Sequence, residues 1–399
     1  MIVKFSFQNF RSYKNETTFD FQAASIPEFD DSLIKRDDVS PLLPVNVVYG
    51  PNGGGKSNAL MALGCLISIV SYPIRQLKKY RVNIYQQIIQ PAPFVFDKDS
   101  VNEPTAFDLF FRTAKYEYRY YLSIYNDEII DECLYRKTYQ GKKSAMIFER
   151  NKKDIVLGPY INKKTINTDV NPKMPYLSFL AINYDLDIIV DVQKWFESCI
   201  IMNYANPKSD SMVFLADNDA EKQIIIGLMN EMDISITDFR QDQENKRLFT
   251  KREINGAEFE LDFNEESAGT RKVFSMLHLL IEALGMGRLV IFDELDAKLH
   301  PKLLKYIIML FKDSSINTSG AQLVFTSHDL TTMNKEIFRR DEIWFAALND
   351  EKESEIYSLY DFRTDDGAHV NNTASFSKQY LEGRYGADPY LKRIVDWEV

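Results

Sequence analysis

The sequence predicts an α/β fold: a mixed-sheet core, an antiparallel β subdomain beside it, and a helical insert between the two halves. Three observations predict it. A short β-branched run, Val45 to Tyr49, feeds straight into the glycine-rich segment 50–57 and then into a long apolar stretch. Through residues 105–125 apolar and polar residues alternate. Beyond residue 270, apolar strands alternate with helical patterns, which implies parallel strands with sites at their carboxyl ends.

The elements follow in order. Val3, Phe5 and Phe7 alternate with polar residues, predicting a half-buried strand. Val45–Tyr49 is a fully buried strand by its composition, and a buried helix starts at Lys56 and runs through ALMALGCLISIV. Residues 93–97, 105–112 and 116–125 read as strands of an antiparallel meander continuing to about residue 157. From Pro172 to about Ile234 the pattern turns helical in three pieces, MPYLSFLAI, LDIIVDVQKWFESCII and DAEKQIIIGLMNEM. Residues 257–263 return to a strand. A helix over 270–284 ends at Gly285 and Gly287, 289–292 is a buried strand, 301–312 is a helix with Pro301 in its first turn, and 322–326 is a further buried strand. The division expected is an N-terminal lobe over 1–160, a helical insert over 161–250 and a C-terminal lobe over 251–399.

Composition excludes several classes. With 27 Phe and 22 Tyr among 399 residues, material for buried cores is ample. The longest apolar run, about Ala59 to Val70, falls short of the ~18–20 residues of a membrane span. Three well-separated cysteines, without CxxC spacing, argue against a disulfide framework or structural zinc and for a reducing cytoplasmic setting. A net charge of −10 argues against a surface coated for nucleic acid. Residues 136–164 nevertheless carry nine Lys or Arg, including Lys152 and Lys153. That stretch is either a solvated hairpin face or a docking patch for DNA, RNA or an acidic partner.

GPNGGGKS matches GxxxxGK[ST] through Gly50, Gly55, Lys56 and Ser57, between a predicted strand and a predicted helix. Chance alone yields this pattern in about 1% of chains this long, with Gly at roughly 7% of residues. The glycines let backbone N–H groups of Asn52, Gly53, Gly54 and Gly55 converge on phosphate oxygens at a helix N-terminus. Lys56 suits the β- and γ-phosphates of ATP, Ser57 suits Mg²⁺, and Asn58 opens the helix behind them. RLVIFDE ends an apolar strand in two carboxylates: Asp293 belongs beside Mg²⁺ and Glu294 is placed to polarise the attacking water as general base.

Two further segments narrow the class. In ESAGTRKVF, about 26 residues before Asp293, Ser267 and Gly269 resemble the serine and glycine of the ABC signature. A hydroxyl and a small backbone at a helix N-terminus form a second phosphate cradle, and such a cradle serves the nucleotide of a partner chain. In QLVFTSHD, His328 resembles the switch histidine that meets the γ-phosphate; in DELDAKLHP, Asp296 stands at the D-loop position, and His300 reads as structural. A glutamine ahead of the meander is expected as a further Mg²⁺ contact: Gln90 is the choice, with Gln86 and Gln87 as competitors. Arg11 and Ser12 of NFRSY stand where SMC-like heads bring residues toward the nucleotide, or are simply surface residues after a strand.

In order, NFRSY, GPNGGGKS, PAPFVFD, NEPTAFDLFF, ESAGTRKVF, VIFDELDAKLHP, TSHD and YLEGRYGADP resemble the ATPases of bacterial abortive-infection and anti-restriction-induced (PARIS-type) phage-defence systems. These are ABC/SMC-like and related to RecF and overcoming-lysogenization-defect proteins. The resemblance implies an ABC-type ATPase head working as a head-to-tail homodimer or larger even-numbered assembly. It implies a phage-encoded trigger and a separately encoded effector, commonly a TOPRIM-type nuclease. Only about 70 residues follow His328, short for a TOPRIM domain, so a nuclease would be another chain. Glu266 and Ala268 depart from the transporter signature, which implies slow turnover. A RecF-type head that clamps DNA on binding ATP is the alternative reading.

Overall fold

The computed structural model describes residues 1–73, 90–203, 219–242, 247–363, 369–371 and 374–387. A six-stranded sheet holds β3 (Val45–Tyr49), β9 (Ile200–Asn203), β13 (Leu289–Asp293), β14 (Gln322–Thr326), β15 (Ile343–Leu348) and β16 (Ser354–Ser358) in the order β16-β15-β3-β14-β13-β9. All its pairings are parallel except that of the edge strand β16. A seven-stranded antiparallel sheet, β2-β1-β4-β5-β6-β7-β8, holds β1 (Ile2–Gln8), β2 (Thr17–Asp20), β4 (Thr105–Arg112), β5 (Tyr116–Tyr125), β6 (Glu128–Thr138), β7 (Ala145–Asn151) and β8 (Asp154–Leu157). A three-stranded ribbon joins β10 (Asp238–Asp242), β11 (Arg247–Ile254) and β12 (Ala257–Asp262).

Period-2 alternation assigns the two faces of the parallel sheet to different cores. Val47, Val290, Phe292, Leu323 and Phe325 enter a core with α5 (Ala268–Met286) and α6 (Pro301–Lys312). Val48, Leu289, Ile291 and Val324 face α1 (Lys56–Ser71), which is sandwiched between this sheet and the aromatic face of the antiparallel one. That position explains why α1 is apolar on every side: each side meets protein. Two further helices, α2 (Tyr176–Asn183) and α3 (Asp187–Ser198), close the same core; α4 (Asp219–Glu231) packs on α5, and α7 (Phe376–Leu381) lies near the C-terminus. The first turn of α2 is capped from another element. Glu132 of β6, buried, accepts the Tyr176 and Leu177 N–H groups at 2.6 and 2.9 Å.

Several expectations are corrected. Residues 93–97 form no strand. The third predicted helical piece is present, but the second stops at Ser198, and Ile200–Asn203 pairs with β13 as the sheet edge. The stretch assigned to a helical insert therefore supplies a strand to the core, and its last residues, from Asp238, belong to the ribbon. β1 is buried on both faces, not one, because Val3 packs with Met1 and Leu42 on the side away from the main core. Gln86 and Gln87 lie outside the described residues.

Candidate functional site

After β3 the chain turns back through Gly50, at φ 147, and reaches the start of α1 through Gly55, at φ 108. Any larger residue is refused at both positions. A Cβ on Gly50 would lie 2.1 Å from the Ala346 carbonyl oxygen, and one on Gly55 would lie 2.5 Å from Ser354 Oγ. The loop is thus pressed into shape by β15 and β16, with Asn52 and Gly53 exposed at its tip and Gly54 buried. Lys56 Nζ donates to the Gly50 and Pro51 carbonyls at 2.9 and 3.1 Å. Burial lowers its pKa, and the carboxylates of Asp293, Glu294 and Asp296 oppose that shift. An anion in the loop would favour the charged ammonium.

The carboxyl ends of three neighbouring parallel strands converge on this loop. Asp293 Oδ1 accepts from Ser57 Oγ at 3.0 Å and from Thr326 Oγ1 at 2.7 Å. Thr326 Oγ1 in turn accepts the Glu294 N–H at 2.7 Å. Glu294 sits at φ 55, a left-handed conformation costing a non-glycine residue about 1–2 kcal/mol. Mg²⁺ in nucleotide sites takes one or two carboxylates beside phosphate and water oxygens. The Ser57 hydroxyl and Asp293 carboxylate, already in hydrogen-bond contact, fit that donor set.

Asp296 Oδ2 accepts the His328 backbone N–H at 3.0 Å, while its Oδ1 is buried without a hydrogen-bond partner among the described residues. In this single chain Asp296 is therefore directed to its own β14 end. The His328 side chain is exposed beside a groove of about 650 Å³, also lined by Asn52, Leu348, Lys352 and Leu381. His300 caps α6, its Nδ1 accepting the Lys302 N–H at 3.2 Å. Ser267 caps α5 in the same way, accepting the Thr270 N–H at 3.0 Å, and remains exposed. Gly269 lies close to the Lys298 carbonyl, where a Cβ would be 3.1 Å away. Glu266, where a transporter signature has leucine, is buried against the ribbon. Its burial raises the carboxyl pKa, but Arg252, at 2.8 Å, and Thr250 outweigh that and hold it below the usual range.

The NFRSY turn is fastened to the loop. Ser12 Oγ accepts from Asn58 at 2.8 Å, and the Tyr13 hydroxyl donates to the Gly55 carbonyl at 3.3 Å. Arg11, at φ 52, donates its N–H to the Ala92 carbonyl at 2.7 Å; its Nε is buried with no hydrogen-bond partner among the described residues. Gln90 is exposed, two residues before that strap. The basic stretch divides. Arg136 is stacked between Tyr116 and Tyr160, Lys137 pairs with Glu117 and Arg150 is buried. Lys142 and Lys143 precede β7 while Lys152 and Lys153 follow it, at opposite ends of a strand roughly 23 Å long at ~3.3 Å per residue.

Thr326 was not singled out from sequence, although a hydroxyl at the last position of a buried strand, just before Ser327–His328, was its available signal. Thr326→Val keeps the shape and removes both hydrogen bonds, leaving the Glu294 N–H unpaired at a cost of about 1–3 kcal/mol. ATP turnover is expected to fall about tenfold, with a higher Mg²⁺ midpoint in a titration of phosphate release. An unchanged Mg²⁺ titration would remove Thr326 from the site.

Among the described residues no helix is long and apolar enough to cross a membrane. No curated protein matches the sequence. Among solved structures, the chain is similar to an SMC head domain from Thermotoga maritima, at 14% identity and TM-score 0.42, covering 90% of this chain and 98% of that one. It is also similar to an Smc head bound to the C-terminal winged-helix domain of ScpA, at 12% identity and TM-score 0.47, covering 90% and 97%. A third is an Smc head with an extended coiled coil, bound to the C-terminal domain of ScpA and derived from Pyrococcus furiosus, at 14% and 0.37, covering 90% and 96%. The family described as an AAA domain, putative AbiEii toxin, type IV toxin–antitoxin system, matches residues 45–334. That span takes in the glycine-rich loop, both carboxylates and His328, and the chain belongs to this family of AAA-domain ATPases.

Proposed function

We propose that the chain is a slow ATP-hydrolysing switch of ABC/SMC type, two copies of which close head to tail around two ATP·Mg²⁺. In each site Lys56, Ser57 and the N–H groups of 52–58 hold phosphate, with Arg11, Ser12 and Gln90 at its flank. Asp293 and Ser57 hold the metal, and Glu294 receives a proton from the attacking water while His328 steadies the γ-phosphate. Ser267 and Gly269 come from the second copy, with Asp296 crossing between copies on closure. The bound metal would neutralise phosphate charge. In the cell this switch answers a phage-encoded trigger and controls a separately encoded effector, a TOPRIM-type nuclease.

The observation that carries the reading is the hydrogen-bonded cluster of Ser57, in the first turn of α1, with Asp293, Thr326 and Glu294 at the ends of β13 and β14. The exposed N-cap of α5 supports the split site. The test is complementation. Lys56→Ala and Ser267→Arg chains are each expected to be inactive. Mixed in equal amounts, they should dimerise on addition of ATP, as neither does alone, since half the pairings set one intact loop against one intact Ser267 segment. Mixtures that remain monomeric in sedimentation with ATP would exclude a shared pocket.

A further inference from the structure

Lys272 lies on α5, one and a half turns beyond Ser267, and is buried. Its ammonium donates to three carbonyls of the segment after β13: those of Glu294 at 3.4 Å, Leu295 at 2.8 Å and Ala297. The Glu294 carbonyl is also bonded by the Ala297 N–H at 3.1 Å, and the Glu294 N–H by Thr326. Lys272 is therefore one of the groups that fix both flanks of a glutamate held in a left-handed conformation. A second contact ties the same two segments: Gly269 packs close to the Lys298 carbonyl. The first two turns of α5 and residues 294–298 are thus tied together, because a multiply bonded buried ammonium is costly to release.

We infer that Lys272 is a positioning residue that carries engagement of the partner's nucleotide by Ser267 to Glu294 of the same chain. The inference rests on the split-site reading above. Docking of the α5 N-terminus on a phosphate pulls on 294–298 through the Lys272 ammonium, so each Glu294 is set for hydrolysis only when its own chain has closed on the other's ATP. Hydrolysis is thereby made cooperative between the two sites, and a lone subunit stays idle.

Lys272→Met is expected to bind a fluorescent ATP analogue with wild-type affinity and to lose about tenfold in kcat, an effect of ~1.4 kcal/mol. Its Hill coefficient for ATP should fall towards 1, and Lys272→Arg should recover most of both losses. Unchanged kcat and Hill coefficient in Lys272→Met overturn the inference. A second measurement covers failure of that variant to fold. In a mixed dimer of Lys56→Ala and Ser267→Arg chains, only the Lys56→Ala chain presents an intact Ser267 to a bound ATP. Its amides 294–298 should gain hydrogen-exchange protection on adding ATP, although its own loop is empty. No gain in a dimer that has formed sinks the coupling and leaves the split site standing. Failure of the mixed dimer to form at all counts against the split site itself.

Discussion

Glu294→Gln is expected to lower ATP turnover by at least about 100-fold, the scale of a lost general base, while ATP affinity stays within about threefold. The amide keeps the size of the side chain and cannot accept the proton of water. The backbone bond from Glu294 N–H to Thr326 is untouched by the change. The variant should accumulate as an ATP-bound dimer in sedimentation, whereas Lys56→Ala should lose nucleotide binding altogether. Lys56 already turns its ammonium to the carbonyls of the loop, so its removal deletes the positive centre of the cradle. Phosphate release and equilibrium binding of an ATP analogue separate the two outcomes. Wild-type hydrolysis by Glu294→Gln would falsify the base assignment.

A comparably large effect, on stability, is expected far from this site. Lys312 of α6 and Glu342, both with fully buried side chains, form an ion pair, and the Lys312 ammonium lies 4.1 Å from the Phe29 ring centroid. Glu342 also accepts the Arg339 N–H at 2.8 Å. Arg339, buried, binds Asp341 at 2.9 Å and the Ala24 carbonyl at 3.0 Å, so the network fastens residues 24–29 ahead of β15. Lys312→Met should cost about 3–5 kcal/mol, because it strands a buried carboxylate. Replacing both partners, as Lys312→Met with Glu342→Leu, should recover most of that loss. Burial already raises the Glu342 carboxyl above 4.5, with Lys312 opposing. Without Lys312 the folded pKa rises further. The protonated form is then favoured in the folded state, so the deficit against wild type is smallest below about pH 4.5 and grows as pH rises. Denaturant midpoints across pH measure it; equal midpoints for single and double variants would contradict a stranded charge.

The elements legible in the sequence are those whose period reports local burial. β4, β5 and α6 coincide with the segments expected from alternation or from Pro at a helix start. The strands β10 and β11 escaped because the ribbon buries little: along β10 only Phe239 is buried. β9 escaped for a different reason. Three apolar residues, Ile200 to Met202, after a helix read equally well as its last turn, and only pairing with β13, some ninety residues away, makes them a strand. At the candidate site the glycine-rich loop and the Asp–Glu strand end stood out by spacing. Thr326 and Lys272 did not, since a threonine ending a strand or a lysine on a helix is ordinary until its partners are known.

The proposed chemistry is legible locally: a phosphate cradle needs particular residues at fixed spacing next to a helix start, the pattern of 50–57 and 267–269, and the paired carboxylates 293–294 end an apolar strand. The tertiary structure decided what those segments touch. It set β15 and β16 beneath the loop so that only glycine fits at 50 and 55. It turned Asp296 to its own His328 N–H, divided the basic stretch between opposite ends of β7, and tied α5 to Glu294 through one ammonium. Such contacts join residues far apart in the chain, and their strength comes from burial and geometry that no local spacing records.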